Sequence, residues 1–160
     1  METTKEKADQ NIHKEIVNNL QDLLEKNYDA EKGFTKAMKD AKNQNLKRFL
    51  QQQAAQRNRF VTELDQQIRS MNEQPKESGS LTGDLHRTWI DIKSSVAGNT
   101  DEAVLEECIR GEKASWKEYE EKLQNKNFPS NISGMLQNQA TEIHNTLNRV
   151  KTLEDLADVE

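Results

Sequence analysis

The chain has 160 residues and a formal net charge of −5 at pH 7, with only 32% hydrophobic and 5% aromatic residues. This length predicts a single domain over residues 1–160, with a core between about residues 12 and 153 and frayed ends. The low apolar content argues against a thick sheet core. Six glycines and two prolines provide few turns for short strands, so the composition favours long helices.

The charge distribution and the cysteine count narrow the class of protein further. No cluster of Lys and Arg forms a basic stripe, so nucleic acid is not an expected partner. Cys108 is the only cysteine and cannot form an intramolecular disulfide; we expect a buried, inert thiol rather than a reactive one. The amino terminus lacks the apolar core of a secretion signal and no later run could span a bilayer. We therefore expect a cytoplasmic protein with no membrane partner.

Apolar residues recur at alternating spacings of three and four along four segments, which predicts four amphipathic helices. The first runs from about Gln10 to Lys42, and residues 43–45 form a short turn before the second, which extends from about Leu46 to Met71. The third begins near Asp101, capped by Asn99 or Thr100, and reaches about Leu123. The fourth follows a loop at 125–130 and continues to about Leu153. The inward stripe of the first helix comprises Ile16, Leu20, Leu23, Asn27, Ala30, Phe34, Ala37 and Ala41.

A connection of roughly 30 residues separates the second and third helices, which is long enough to cross the length of a helical bundle. Residues 84–97 within it carry apolar side chains at helical spacing and predict a short extra helix. The sequence therefore predicts an all-α, ferritin-like four-helix bundle with a long crossover that contains this short helix. An up-down-up-down bundle, with residues 84–97 as an appendage or an extension of the third helix, is the alternative.

Several short runs of the sequence resemble bacterial ferritin-like four-helix-bundle proteins of unknown function, over roughly residues 12–152. The most specific stretch is Ser78-Gly79-Ser80-Leu81 with Gly83, followed by Leu85-His86-Arg87-Thr88-Trp89. The others are Glu31-Lys32-Gly33-Phe34, Ala54-Ala55-Gln56-Arg57-Asn58-Arg59-Phe60, and Leu105-Glu106-Glu107-Cys108 with Arg110-Gly111-Glu112. The resemblance implies a ferritin-like fold and no established activity, so it leaves the function open.

The midpoints of the four predicted helices carry polar residues that we expect to meet in one layer. These residues are Asn27, Glu31, Gln53, Gln56, Arg57, Glu107, Glu112, Gln139 and Glu142. The favoured interpretation is a hydrogen-bonded network in which Arg57 neutralises Glu31, Glu112 or both and fixes the helix register.

The alternative for this layer is an oxygen-only site for iron, manganese or zinc, formed by Glu31, Glu107, Glu112 and Glu142. Ferritin-like di-metal proteins use Glu-x-x-His pairs, and this sequence contains none. A fixed arginine in the layer would also repel a bound ion. We therefore expect no cofactor and keep the metal as the second hypothesis.

His86, Arg87 and Trp89 are predicted to lie together at the start of the short crossover helix. They are interpreted first as a docking cluster that packs this helix on the bundle, and second as a site for a partner or a small anion. No arrangement typical of nucleophilic catalysis is found, so no catalytic residue is predicted. The sequence predicts a non-enzymatic bundle that associates with itself or with another protein.

Overall fold

The computed structural model of the protein describes residues 3–77 and 100–158, and these residues form helices and connecting turns without any strand. Four α-helices and a C-terminal 3₁₀ helix follow in order: α1 (Thr4–Asp40), α2 (Gln44–Ser70), α3 (Asp101–Leu123), α4 (Ser130–Arg149) and the 3₁₀ helix (Leu153–Asp158). The all-α prediction is therefore confirmed for the described chain. None of these helices combines the length and the apolar character needed to cross a membrane.

The first helix begins at Thr4, earlier than the predicted start near Gln10, because Thr3 and Glu6 form a capping box. The Glu6 backbone N–H donates to Thr3 Oγ1 at 3.1 Å, and the Thr3 backbone N–H donates to Glu6 Oε2 at 2.7 Å. These reciprocal bonds satisfy amides that a helix otherwise leaves free at its first turn. The exposed, polar start of the chain is thus helical.

Contacts at the end and at the middle of α1 establish the helix directions. The backbone N–H groups of Lys42 and Asn43 donate to the carboxylate of Asp101 at 2.8 and 2.9 Å, so the start of α3 lies at the end of α1. At the middle of α1, Asp22 Oδ2 accepts a 2.8 Å bond from Nζ of Lys122 in the last turn of α3, which makes α1 and α3 antiparallel. After α2, the Gln74 carbonyl accepts a 2.8 Å bond from Gln21 Nε2, so α2 also runs antiparallel to α1. Helices α2 and α3 are therefore parallel, which the up-down-up-down alternative does not allow.

The α3–α4 pair is antiparallel, as its short connection predicts. The rings of Trp116 and His144 stack with a centroid separation of 4.6 Å, and Tyr119 bonds Gln139 nearer the start of α4. Thr100 caps α3 with a 3.2 Å bond from the Ala103 N–H, as expected of one of the two proposed caps. The predicted short helix at 84–97 lies outside the described residues.

The buried apolar residues form two clusters, which we name after Phe34 and Phe60. The Phe34 cluster comprises Ala30, Phe34, Ala37, Ala41, Leu46, Phe49, Leu50, Val104, Leu105, Cys108, Val150 and Leu156. The Phe60 cluster comprises Ile16, Leu20, Leu23, Leu24, Phe60, Val61, Leu64, Ile68, Tyr119, Phe128, Ile132, Leu136, Ala140 and Ile143. Along α1, α2 and α3, the transition between the clusters falls at Asn27, Arg57 and Glu112. Polar residues thus separate two apolar cores.

The carboxyl-terminal segment differs from the predicted continuation of the fourth helix. Helix α4 ends at Arg149, and Leu156 in the following 3₁₀ helix is buried in the Phe34 cluster at 1% exposure. Asp155 orders the turn between them by accepting backbone N–H bonds from Lys151 and Thr152 at 2.8 and 3.0 Å. These two donors hold the pKa of the Asp155 carboxyl below its ordinary value. The tail therefore contributes to the core.

Candidate functional site

The centre of the bundle holds a buried arginine. Arg57 on α2 is 1% exposed, and its Nη1 donates a 2.9 Å bond to Asn27 Oδ1 on α1. Its Nη2 donates to Glu112 Oε1 on α3, forming an ion pair whose two side chains are almost fully enclosed. The guanidinium carbon also lies 6.0 Å from the ring centroids of Phe34 and Phe60, at the outer limit of a cation–π contact. Three helices thus converge on one buried positive charge.

Further hydrogen bonds extend from this pair to the fourth helix. Asn27 Nδ2 donates to the Tyr119 hydroxyl oxygen and to the Leu23 carbonyl one turn earlier, both at 2.8 Å. The Tyr119 hydroxyl donates to Gln139 Oε1 at 2.6 Å, and Gln139 Nε2 donates to Glu63 Oε1 at 2.9 Å. We call Asn27, Arg57, Glu63, Glu112, Tyr119 and Gln139 the mid-bundle network. It connects all four helices and ends at the half-buried Glu63.

Burial changes the acid–base properties of three groups in and beside the network. Burial raises the pKa of Glu112 above the ordinary glutamate value, and the charge and hydrogen bond of Arg57 act in the opposite direction. Burial likewise raises the pKa of the Tyr119 hydroxyl, which keeps it protonated and able to donate to Gln139. Burial, followed by the charges of Glu112 and Glu107, raises the pKa of the Cys108 thiol. Cys108 is a free, buried cysteine, and a high pKa makes the nucleophilic thiolate scarce.

The structure brings part of the predicted polar layer together. Asn27, Arg57, Glu112 and Gln139 are connected through the network, and Arg57 pairs with Glu112 rather than with Glu31. Gln53 is buried at 4% exposure one turn before Arg57. Gln56 is half-buried on the same helix.

Two network members were not among the predicted site residues. Tyr119 was not singled out in the sequence, although a tyrosine beside a predicted polar layer could have indicated a hydroxyl partner. Glu63 lies on α2 beyond Phe60, and no signal in the sequence distinguishes it from the other surface acids.

The remaining acids of the predicted layer point away from the centre. Glu31 accepts a 3.2 Å bond from Asn58 on the exposed side of α1 and α2. Glu142 pairs with Arg59 at the surface, and Glu107 pairs with Arg110 on its own helix at 2.7 Å. Only Glu112 of the four proposed metal ligands therefore faces the middle of the bundle.

A metal ion fits this arrangement poorly. The described ranges contain no group of three or more His, Cys, Asp or Glu side chains that could hold an ion. The one central carboxylate already pairs with a guanidinium, and that fixed cation would repel a divalent ion at the same carboxylate. Amide oxygens such as those of Gln53 and Gln139 are weaker ligands than carboxylate or imidazole. No metal-dependent chemistry follows from these residues.

The predicted cluster of His86, Arg87 and Trp89 lies outside the described residues, so its role stays a prediction. The other two histidines are away from the network. His13 contacts Glu73 at 3.1 Å near the start of α1, and His144 stacks on Trp116.

Comparison with known proteins places the chain in a family without assigning an activity. No curated protein matches the sequence. A family model described as "Domain of unknown function (DUF2383)" matches residues 15–125, which is more than half of the chain. The matched region includes Asn27, Arg57, Glu112 and Tyr119 and ends before Gln139. This chain belongs to that family of domains of unknown function.

Proposed function

We propose that this chain is a non-catalytic, ferritin-like helical bundle of the cytoplasm that acts as an association module. Its first partner is a second copy of the chain, and another protein is the alternative. Two observations support the ferritin-like assignment. Helices α2 and α3 are parallel, and such bundles carry one long crossover between these two helices. In addition, charged residues meet in the bundle core, which is where ferritin-like di-metal proteins place their ligands.

The observation that carries the non-catalytic part of the proposal is the enclosure of Arg57. A guanidinium at 1% exposure, paired with Glu112, supplies the positive charge that a metal ion supplies in a di-metal bundle. The charge is fixed covalently to α2 and directed at partners on α1 and α3. Such a buried pair tends to specify helix register more than it adds to stability. In this proposal the buried pair fixes how the helices pack, and the protein surface binds the partner.

We propose that the association surface includes His86, Arg87 and Trp89 on the short crossover helix predicted for residues 84–97. Arg and Trp are enriched at protein interfaces because they combine a large contact area with directional polar groups. The adjacent run from Ser78 to Gly83 contains helix-breaking glycines, so its sequence predicts a loop before the short helix.

The test combines metal analysis with measurement of molar mass in solution. Freshly purified protein is analysed for iron, manganese and zinc, and its mass is measured by light scattering after size exclusion. We expect far less than one metal ion per chain and a mass above that of the 18.5 kDa monomer. Stoichiometric metal would contradict the non-catalytic, metal-free core, and a strict monomer at every concentration would contradict self-association.

A pair of matched variants locates the surface. The triple substitution His86→Ala, Arg87→Ala and Trp89→Ala should reduce the mass to that of a monomer while the helical circular dichroism signal persists. The control replaces Lys117, Glu120 and Glu121, three exposed residues of α3, by alanine and should leave the mass unchanged. An equal effect of the two triple variants would exclude this surface.

A further inference from the structure

Three buried polar atoms beside the central ion pair have no hydrogen-bond partner among the protein atoms of the described chain. They are Glu112 Oε2, Arg57 Nε and Gln53 Oε1. The residues that carry them are 2%, 1% and 4% exposed, so bulk solvent does not reach them. Buried polar groups in folded proteins are nearly always hydrogen-bonded, to protein or to an ordered water molecule. Two unpaired atoms of the ion pair and a third on the neighbouring Gln53 therefore require an explanation.

Covalent structure ties two of these atoms to the ion pair, and helix geometry places the residue that carries the third beside Arg57. Glu112 Oε2 shares its carboxyl carbon with Oε1, which accepts the bond from Arg57 Nη2. Arg57 Nε shares the guanidinium carbon with Nη2, so both unpaired atoms belong to the two groups that are already in contact. Gln53 precedes Arg57 by one helical turn on the buried face of α2, and side chains four residues apart on a helix are neighbours.

We propose that a single internal water molecule binds at this place. It donates one hydrogen bond to Glu112 Oε2 and one to Gln53 Oε1, and it accepts one from Arg57 Nε–H. Three such bonds are the typical number for a buried water molecule. The water completes the hydrogen bonding of the central ion pair and connects it to Gln53.

The donor and acceptor pattern selects water over other small occupants. The site offers two acceptors and one donor, so its occupant must donate twice and accept once. An ammonium ion or a metal cation cannot accept from Arg57 Nε–H, and the guanidinium repels it. A halide ion cannot donate to either oxygen, and the Glu112 carboxylate repels it. Water meets all three requirements without adding charge.

This inference depends on the mid-bundle network and not on the proposed association, so either can fail alone. It also distinguishes Gln53 from Gln52, the adjacent glutamine on the exposed side of α2. Gln53 would bind the water, whereas Gln52 would contact only solvent.

The test is a crystal structure of the full chain at a resolution that locates ordered water, with oxygen-17 magnetic relaxation dispersion in solution to count long-lived internal waters. We expect density for one water within about 2.7–3.2 Å of all three atoms. In Gln53→Leu the count of long-lived waters should fall by one, whereas Gln52→Leu should leave it unchanged.

Three results would overturn the proposal. The first is a direct hydrogen bond between Glu112 Oε2 and the Gln53 amide with no water between them. The second is a bound cation or halide in place of water, detected by anomalous scattering after the ion is exchanged for a heavier one. The third is an unchanged count of long-lived waters in Gln53→Leu. If Gln53→Leu does not fold, the wild-type density and the wild-type water count decide the question without it.

Discussion

Arg57 and Arg59 are two residues apart on α2, and each forms an ion pair with a glutamate on another helix. The Arg57–Glu112 side chains are 1% and 2% exposed, whereas the Arg59–Glu142 side chains are 50% and 36% exposed. Both guanidinium groups also lie near the ring of Phe60, at 6.0 and 5.2 Å. Each pair joins a guanidinium to a carboxylate. The pairs differ in their contact with water and in the further hydrogen bond that Arg57 donates to Asn27. We therefore expect burial, rather than the presence of a salt bridge, to decide what each pair contributes to stability.

The largest expected effect is that of removing one partner of the buried pair. Glu112→Gln leaves the Arg57 charge enclosed without a counter-charge, and we expect a loss of about 3–5 kcal/mol in the free energy of unfolding. The matched variant Glu142→Gln removes the same charge from the exposed pair and should cost at most ~1 kcal/mol. Urea unfolding of the two variants measures the difference. Equal losses would mean that burial does not change what an ion pair contributes to the free energy of unfolding.

The next effect concerns the hydroxyl group that connects the pair to α4. Tyr119→Phe removes the hydroxyl that donates to Gln139 Oε1 and accepts from Asn27 Nδ2, and we expect a loss of about 1–3 kcal/mol in the free energy of unfolding. Tyr28→Phe, at a half-buried position outside the network, is the control and should change stability less. A Tyr119→Phe protein as stable as the wild type would show that the network ends at Asn27.

The regular parts of this fold could be predicted from the sequence, because each helix buries one stripe and the stripe repeats every three or four residues. This periodicity predicted four helices, their seams and the position of Arg57 in the middle of α2. It could not predict the helical start of the chain, since that depends on reciprocal bonds between Thr3 and Glu6. Nor could it predict that Leu156 returns to the core in a 3₁₀ helix.

The candidate site was predicted less completely, because neighbouring positions on a helix differ by about 100° in direction. Glu107 and Glu112 both lie close to the seam of α3, yet only Glu112 faces the centre. Glu31, one residue after Ala30 of the Phe34 cluster, points to solvent for the same reason. The spacing located the polar layer, and side-chain packing determines which acids belong to it.

The smallest expected effect is a gain in stability at the groove between α2 and α4. Arg59, Glu63 and Gly134 line this groove. A Cβ atom at Gly134 would meet nothing within 4 Å, so alanine fits without displacing a neighbour. Because glycine is unfavourable inside a helix, Gly134→Ala should raise the free energy of unfolding by about 1 kcal/mol. Thermal unfolding would detect the gain, and a lower midpoint would show that an open groove at this position contributes to stability.

Arg57 and Glu112 are expected to act on stability as a coupled pair, and a double-mutant cycle measures that coupling directly. Arg57→Met and Glu112→Leu are made singly and together, and the free energy of unfolding of each is determined in urea. We expect each single variant to lose about 3–5 kcal/mol and the double variant to recover most of that loss, because two apolar side chains leave no charge buried. Losses that simply add in the double variant would contradict the claim that this buried pair acts as a unit.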